Sequence, residues 1–429
     1  MSQIVAAPPA ALPWLLGGPP AEMGPEPLES HLQRLGPCPA GGAELLSALR
    51  STGIRGRGGA RFPAWRKWRA VGERSGGRAV VLANGAEGEP ASWKDQVLMA
   101  MRPHLVLDGA ELAADTVGAT EVVLYVGREL TDARQALERA IAERGGRRWG
   151  RRRVRLVTAP PRYVAGEETA AVRFVDGGPA RPTFRPPRPF ERGVRGRPTL
   201  VQNVETLALV ALLARFGTEW FRSVGVPSTP GPLLVTVGGA VRRPGVYEVP
   251  HGISLDQVLG TAEPVGPMAG ILLGGYFGAW VAPSRAASVV LDDEALAASG
   301  VGLGCGVVFV LPDEACPVME TARILGFLAH ESARQCGPCQ YGLQALAEVA
   351  HRVAIGHGGA DDVALLRRWA GQLRGGRGAC RHPDGAVGLL TSALDTFADH
   401  VRLHLRPSPC PASRAATWLP FPPPQEGWG

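Results

Sequence analysis

Apolar residues in this chain change period several times, and each change marks an element. RAVVLANG (78–85) is a short, continuous apolar run that ends in a turn and predicts a buried strand. HLVLDGAELAADTV (104–117) repeats apolar positions at helical spacing. EVVLYV (121–126) then reads as a strand, TDARQALERAIAER (131–144) as a helix and RRVRLVTA (152–159) as another strand. Strands alternating with helices at this interval predict a parallel α/β sheet. Residues 177–198 are dense in Pro, Gly and Arg and predict a long connecting loop. LVQNVETLALVALLARFG (200–217) predicts a helix.

The texture changes at PGPLL (230–234). LLVTVGGAVRRPGVYEVPHGISLDQVLG (233–260) alternates apolar and polar positions around turns and predicts a small, mostly β module ending near LGCGVVFVLP (303–312). From Val318 onward the period is helical in METARILGFLAHESAR, LQALAEVAHRVA, DDVALLRRWAGQL and VGLLTSALDTFADHVRLHL, which predicts a helical bundle. The expected organisation has five parts. These are a Pro-rich, disordered or draped segment (1–48) with a short helix near Ala43–Arg50, an α/β domain (49–229), a β module (230–314), a helical domain (315–405) and a Pro/Trp-rich tail (406–429).

Composition narrows the function classes. No run approaches the ~20 apolar residues that a membrane span needs, and the start lacks the basic residue of a secretion signal, so a cytoplasmic protein is expected. The net charge of +7 comes almost wholly from arginine. Such a bias, together with abundant Ala, Gly and Pro, is weak evidence for nucleic-acid binding, and RRWGRRRVRL (147–156) reads as a solvated loop entering a strand. Lys67 and Lys94, the only lysines, stand out against that background. Seven cysteines, an odd number spread over a long chain, argue against a disulfide framework. Cys305 and Cys316 read as small core residues, and Cys38 and Cys410 have no evident partner. Cys336, Cys339 and Cys380 remain as candidate ligands.

Three stretches could carry chemistry. GIRGRGGARFP (53–63) exposes backbone N–H groups that could cradle a phosphate, or it is a flexible loop. NGAEGEPASWKDQ (84–96) places Asn84, Glu87 and Glu89 at a strand's carboxyl end, where open α/β sheets bind ligands; alternatively it is a polar turn. YVAGEETAAV (163–172) sets Glu167 and Glu168 at a helix start, where acids are also simple dipole partners.

In this order, and followed by NVETL, these motifs resemble the flavoprotein subunit of respiratory complex I. The same family includes diaphorase subunits of NAD-dependent hydrogenases and formate dehydrogenases. The likeness runs from about Gly53 to His404. It implies a Rossmann-like FMN-binding α/β domain, a β-grasp (soluble-ligand-binding) module and a C-terminal bundle carrying a [4Fe–4S] cluster. It also implies hydride transfer from NAD(P)H directly to FMN, with no catalytic acid from the protein. By resemblance, Gly56, Arg57, Gly58, Gly59 and Lys67 lie at the FMN phosphate. Asn84 and Glu87 face the ring or ribityl chain, and Gly166, Glu167, Glu168, Gln202 and Asn203 close the site. Phe62, Glu89 and Arg185 meet the nicotinamide nucleotide, while Cys336, Cys339 and Cys380 hold the cluster.

Several positions depart from the family pattern. Arg61 stands for a glycine, Ala86 for an acid, Gln202 for an asparagine and Arg185 for a lysine; Ala70 and Arg188 replace aromatics that stack on the nucleotide base. Arg61, Arg188 and the lost acid predict a more positive pocket that accepts NADPH. A pocket that has lost nicotinamide binding, leaving an electron relay or scaffold, is the competing expectation. In the cluster motif the first cysteine is Ala333, which leaves His382 or His330 as a fourth ligand, an open iron, or zinc on Cys336, Cys339, Cys380 and His382. A zinc-stabilised nucleic-acid-binding protein is the reading from a different class. The chain has no second ferredoxin-like cysteine set, so a ferredoxin or membrane-reductase partner is expected to take the electrons, with any membrane association made through partner subunits.

Overall fold

The computed structural model describes residues 12–146, 148–406, 409–423 and 427–428. Residues 1–11 of the Pro-rich start, Arg147 of the basic run and part of the tail lie outside them. The first sheet contains β1 (Ala79–Gly85), β2 (Ala119–Gly127), β3 (Arg148–Trp149), β4 (Arg152–Ala159) and β5 (Thr199–Asn203). Their order is β3-β4-β2-β1-β5, parallel except for the short edge strand β3. The chain moves from β1 outward through β2 to β4, then returns to place β5 on the other side of β1. That reversal opens a crevice at the carboxyl ends of β1 and β5, where open α/β sheets bind ligands.

Residues 200–203 correct the predicted helix. They belong to β5, every residue of which is buried, and Asn203 registers with Asn84 of β1. A stretch as short as TLVQN, with two apolar residues running into a helical pattern, reads as either element until its neighbours are known. The helix begins at Val204, where the Asn203 side chain accepts hydrogen bonds from the N–H groups of Glu205 and Thr206. Helices Ala64–Ser75 and Lys94–Met101 were not predicted. Helix Pro103–Val117 crosses helix Val204–Arg222 so closely that a Cβ on Gly109 would fall 2.0 Å from the Leu207 carbonyl oxygen.

The described part of the N-terminal segment is packed. Trp14 and Leu15 are buried, and Glu248 accepts from the N–H groups of Trp14, Leu15 and Leu16 at 2.8, 2.9 and 2.9 Å. A two-stranded ladder, β6 (Gly225–Val226) and β7 (Thr229–Pro230), leads into the second sheet. That sheet comprises β8 (Pro232–Gly239), β9 (Gly245–Pro250), β10 (Met268–Leu273), β11 (Ala279–Val281) and β12 (Val307–Pro312), in the order β11-β10-β12-β8-β9. Its central pair β12 and β8 is parallel, and helix Leu255–Ala262 packs Leu255, Val258 and Leu259 into its core, the β-grasp arrangement expected.

Helices Pro317–His330, Gln344–Ala354, Ala360–Leu373 and His382–Thr396 form the C-terminal bundle. The predicted last helix breaks at Phe397, whose ring packs on Trp280, and continues as Ala398–His404. The tail folds back, with Leu419 buried and Trp428 between the guanidinium groups of Arg162 and Arg181. Among the described residues no helix is long and apolar enough to cross a membrane.

Gly109→Ala is expected to destabilise the protein by about 3 kcal/mol, because a methyl group must force apart two helix backbones. The denaturant midpoint measures this, and a change under about 0.5 kcal/mol, the range of neutral surface substitutions, would contradict the close crossing.

Candidate functional site

The glycine loop lies over the end of β5. A Cβ on Gly58 would sit 3.4 Å from Asn203 Cβ, and one on Gly56 would sit 3.7 Å from Gln202 Nε2. The loop is closed at its base, because Gly56 N–H donates to the Phe62 carbonyl at 2.9 Å and Ala64 N–H to the Ile54 carbonyl at 2.9 Å. Gly59 has a φ of 93°. Arg61, which replaces the expected glycine, keeps a left-handed φ of 50° that costs a residue with a Cβ about 1 kcal/mol or more.

Two arginines of this loop correct the sequence reading. Arg61 is a two-point partner of Asp293, with Nε donating at 2.7 Å and Nη2 at 2.9 Å, so it adds no free charge to the crevice. Arg57 is buried, and its guanidinium reaches His251 Nε2 at 2.8 Å and the Pro232 carbonyl at 3.0 Å. It therefore ties the loop to β8, while its backbone N–H donates to Thr206 Oγ1 at 2.9 Å. His251 Nε2 also meets Arg61 Nη2 at 2.9 Å, so it must accept from both guanidinium groups while Nδ1 donates to the Gly231 carbonyl. Burial and then the two arginines hold the imidazole well below its ordinary pKa.

Loops after β1 and β4 form the opposite wall. Asn84 Nδ2 donates to the Gly166 carbonyl at 2.8 Å, and a Cβ on Gly166 would lie 3.7 Å from Ala86 Cβ. Glu87 turns away to cap helix Lys94–Met101, accepting from Ser92 Oγ at 2.7 Å and from the N–H groups of Asp95 and Gln96 at 3.0 and 2.8 Å. Glu167 caps helix Glu168–Val175. Lys67 Nζ donates to Glu168 Oε2 and to the Val201 carbonyl, both at 3.1 Å, while Arg185 donates to Glu168 Oε1 at 3.2 Å. Burial pushes the Glu168 carboxyl up, but Lys67, Arg185 and Arg188 outweigh it and hold the group below its ordinary value. Gln202 accepts from Trp68 Nε1 at 3.3 Å, and Phe62 is about half exposed at the rim.

Beneath the crevice is a buried ionic cluster that the sequence marked only through the rarity of lysine. Lys94 Nζ lies 2.6 Å from Asp95 Oδ1 and 2.9 Å from Glu205 Oε2. Asn203 Nδ2 donates to Asp95 Oδ2 at 2.6 Å, and the Leu234 N–H of β8 donates to Glu205 Oε1 at 3.0 Å. Burial lowers the pKa of Lys94, but Asp95, Glu205 and Glu87 outweigh it and push the pKa up.

The cysteine loop adjoins the same wall. Gln335 Nε2 donates to the Pro182 carbonyl, Arg173 to Gln335 Oε1 at 3.2 Å and Arg162 to Glu331 at 2.8 Å. Cys339 lies in a π-helical turn, Pro338–Leu343, a feature frequent at functional sites. Ser332, Cys336 and Cys380 lie near its thiol, and Glu167 and Arg185 lie near Cys380. Burial pushes Cys339 up to about 12 and Cys380 up to about 11, so only a bound cation or cluster would hold them as thiolates.

Cys336, Cys339 and Cys380 are close enough for Cys336 to shift the titration of the other two, as ligands of one iron–sulfur cluster would be, and the three sulfurs are not drawn within 4.8 Å of one another as a single zinc ion needs. Ala333 supplies no donor, and Arg334 beside it carries a φ of 51°. The zinc set drawn from the sequence is not assembled. Among the described residues Cys336, Cys339, Cys380 and His382 are not a group whose ligand atoms lie within 4.8 Å of one another. His382 Nε2 is bonded to the Leu328 carbonyl at 2.7 Å, and His330 is a largely exposed neighbour of Glu331. Ser332 at the Cys339 thiol was missed, because serine carries no ligand signal in a cysteine motif.

Glu89 lies where the three modules meet. Its Oε2 accepts from Tyr163 Oη and from the Tyr276 N–H, both at 2.8 Å, and it is nearly fully buried. Burial pushes its carboxyl up to about 7 from 4.5. Between those values the folded protein holds a proton that the unfolded chain has released, so this group lowers stability as pH rises from about 4.5 to 7. Glu89→Gln is expected to gain on the wild type by about 3 kcal/mol over that range. Parallel stability–pH curves would contradict it.

Comparisons with known proteins agree with this arrangement. Residues 49–212 match the Nuo51 FMN-binding domain, 234–262 the SLBB domain and 319–404 the NADH-ubiquinone oxidoreductase-F iron–sulfur binding region. The chain is 33% identical over 381 residues to the NADH-quinone oxidoreductase F 2 subunit of Rhizobium meliloti, covering 86% of this chain and 90% of that protein. It is 29% identical over 394 residues to the NADP-reducing hydrogenase subunit HndC of Solidesulfovibrio fructosivorans, covering 88% of this chain and 79% of that protein. Among solved structures, a NAD+-reducing [NiFe]-hydrogenase in the H2-reduced state superposes with a TM-score of 0.76 at 32% identity. That match covers 85% of this chain but 63% of the hydrogenase chain, under two thirds of its length. A chain that carries the FMN-binding, SLBB and iron–sulfur regions in this order, and aligns with the Rhizobium protein along nearly its whole length, belongs to the family of NADH-quinone oxidoreductase F subunits, which are FMN and iron–sulfur flavoproteins.

Proposed function

We propose that this subunit receives a hydride from a nicotinamide nucleotide at the β1/β5 crevice and passes single electrons through the cysteine loop to a partner protein. The observation that carries the reading is the direct contact between the two sites. The Gln335–Pro182 and Arg173–Gln335 hydrogen bonds seat the cysteine loop on the wall that carries Glu167 and Glu168. Bound FMN supplies the conversion of one two-electron donor into single electrons.

The protein's part is positioning. The glycine loop, Gly56, Arg57, Gly58 and Gly59, would take the phosphate through the N–H groups of Gly58 and Gly59, since those of Gly56 and Arg57 are engaged by the Phe62 carbonyl and Thr206 Oγ1, with Lys67 nearby. Asn84, Gly166, Gln202 and Asn203 would line the ring and ribityl chain. Glu87 and Glu167 would act through the helix starts they cap. Phe62, Arg185 and Glu168 would orient the nucleotide at the rim, with Glu89 buried behind them. Cys336, Cys339 and Cys380 would hold the cluster.

Arg61 is neutralised by Asp293, so tolerance of a 2′-phosphate would fall to the exposed Arg188. The relatives are subunits of oxidoreductases and a hydrogenase, which supports a partner protein as acceptor. A small ferredoxin or a membrane-bound reductase would suit it.

Oxygen-free protein mixed with NADH, and separately with NADPH, is expected to lose its visible flavin absorbance. Comparable rates would support the role of Arg188. Bound flavin that neither nucleotide bleaches would replace this reading with that of an electron relay.

A further inference from the structure

We propose that Cys316, His400, His404 and Cys410 form a second metal centre, a closed structural zinc site that clamps the C-terminal segment to the start of the helical bundle. The four ligand atoms all lie within 4.8 Å of one another. A tetrahedral zinc with sulfur at ~2.3 Å and nitrogen at ~2.0 Å requires ligand atoms ~3.3 to 3.8 Å apart. Cys316 Sγ lies 3.2 Å from His404 Nε2 and 3.6 Å from His400 Nε2. Thiols and imidazoles simply packed in a core have no reason to aim four donor atoms at one point.

The surroundings orient the ligands. His400 and His404 are one turn apart on helix Ala398–His404, so their rings share a face. His404 Nδ1 donates to the Ala354 carbonyl at 2.7 Å, which fixes the tautomer and turns the lone pair of Nε2 toward Cys316. Cys316 caps helix Pro317–His330, where its sulfur accepts from the Met319 N–H at 3.3 Å and the helix start favours a thiolate. Among the described residues, neither the His400 ring nor the Cys410 thiol has a polar partner outside the set. Two sulfurs and two nitrogens in a largely buried, closed site select zinc over harder or redox-active ions. Cys316 is a core residue, as the sequence reading has it, and Cys410, which had no evident partner in the sequence, packs beside it. The H-x-x-x-H spacing was the available signal, but Cys316 lies 84 residues upstream of His400.

The site is distinct from the cysteine loop, and so is its test. Full-length protein is purified without oxygen, its zinc, iron and flavin are counted, and the zinc K-edge absorption spectrum is recorded. About one zinc per chain is expected, with a first shell of two sulfurs at ~2.3 Å and two nitrogens at ~2.0 Å. Cys336→Ser/Cys339→Ser should lose iron but keep the zinc. His404→Ala should lose zinc at least about tenfold, and His400→Ala serves where that variant does not fold. Wild-type protein with less than about 0.1 zinc per chain would overturn the proposal. So would a Cys316–Cys410 disulfide found by peptide mapping, or zinc that leaves with the Cys336 and Cys339 thiols.

Discussion

A single buried ammonium underlies the arrangement of the crevice. Lys94 is held between Asp95 and Glu205, and through them it touches three separate parts of the fold. Asp95 fixes Asn203 at the end of β5, Glu205 accepts from Leu234 of the β-grasp sheet, and Glu205 also faces the Arg57 guanidinium of the glycine loop. Removing one partner of such a cluster strands the others without water and typically costs about 3 to 5 kcal/mol. The cluster therefore specifies register: the loop, the strand end and the neighbouring module are correctly placed together or not at all.

The charge pattern extends this logic toward the rim. His251 must stay neutral to accept from both Arg57 and Arg61, and Asp293 answers the charge of Arg61. A loop rich in glycine and arginine is in this way rigid at its base, where Gly56 N–H is held by the Phe62 carbonyl, and Gly58 and Gly59 form its tip. On the far wall Lys67 and Arg185 converge on Glu168, which leaves a polar rim of both signs. Arg61 and Arg185, which the sequence reading set against the family pattern, are thus both engaged by carboxylates of the protein itself.

Much of this was legible in the sequence, and the misses have physical causes. The strands and helices read between residues 78 and 159 appear in the fold with nearly the same bounds, because their apolar patterns are continuous or strongly periodic, while the short helix Lys94–Met101 among them was missed. Residues 200–203 were misread because a short apolar run takes its identity from the strand beside it. Motif order groups Asn84, Gly166, Gln202 and Asn203, and in the fold Asn84 bonds Gly166 and registers beside Asn203. It could not show that the Arg57, Arg61 and Glu87 side chains are consumed by His251, Asp293 and a helix start, because those partners are distant or local to the fold. The Cys316–His404 contact was equally hidden, joining segments at opposite ends of the bundle sequence.

The central claim is that one chain couples a flavin to an iron–sulfur cluster held by three cysteines. Its most direct test is a stepwise reductive titration of oxygen-free protein, counting electrons taken up per chain. The expected uptake is about three, two by the flavin and one by a single cluster. An uptake of about two, with flavin fully reduced and no further signal, would contradict the claim that Cys336, Cys339 and Cys380 hold a redox-active cluster.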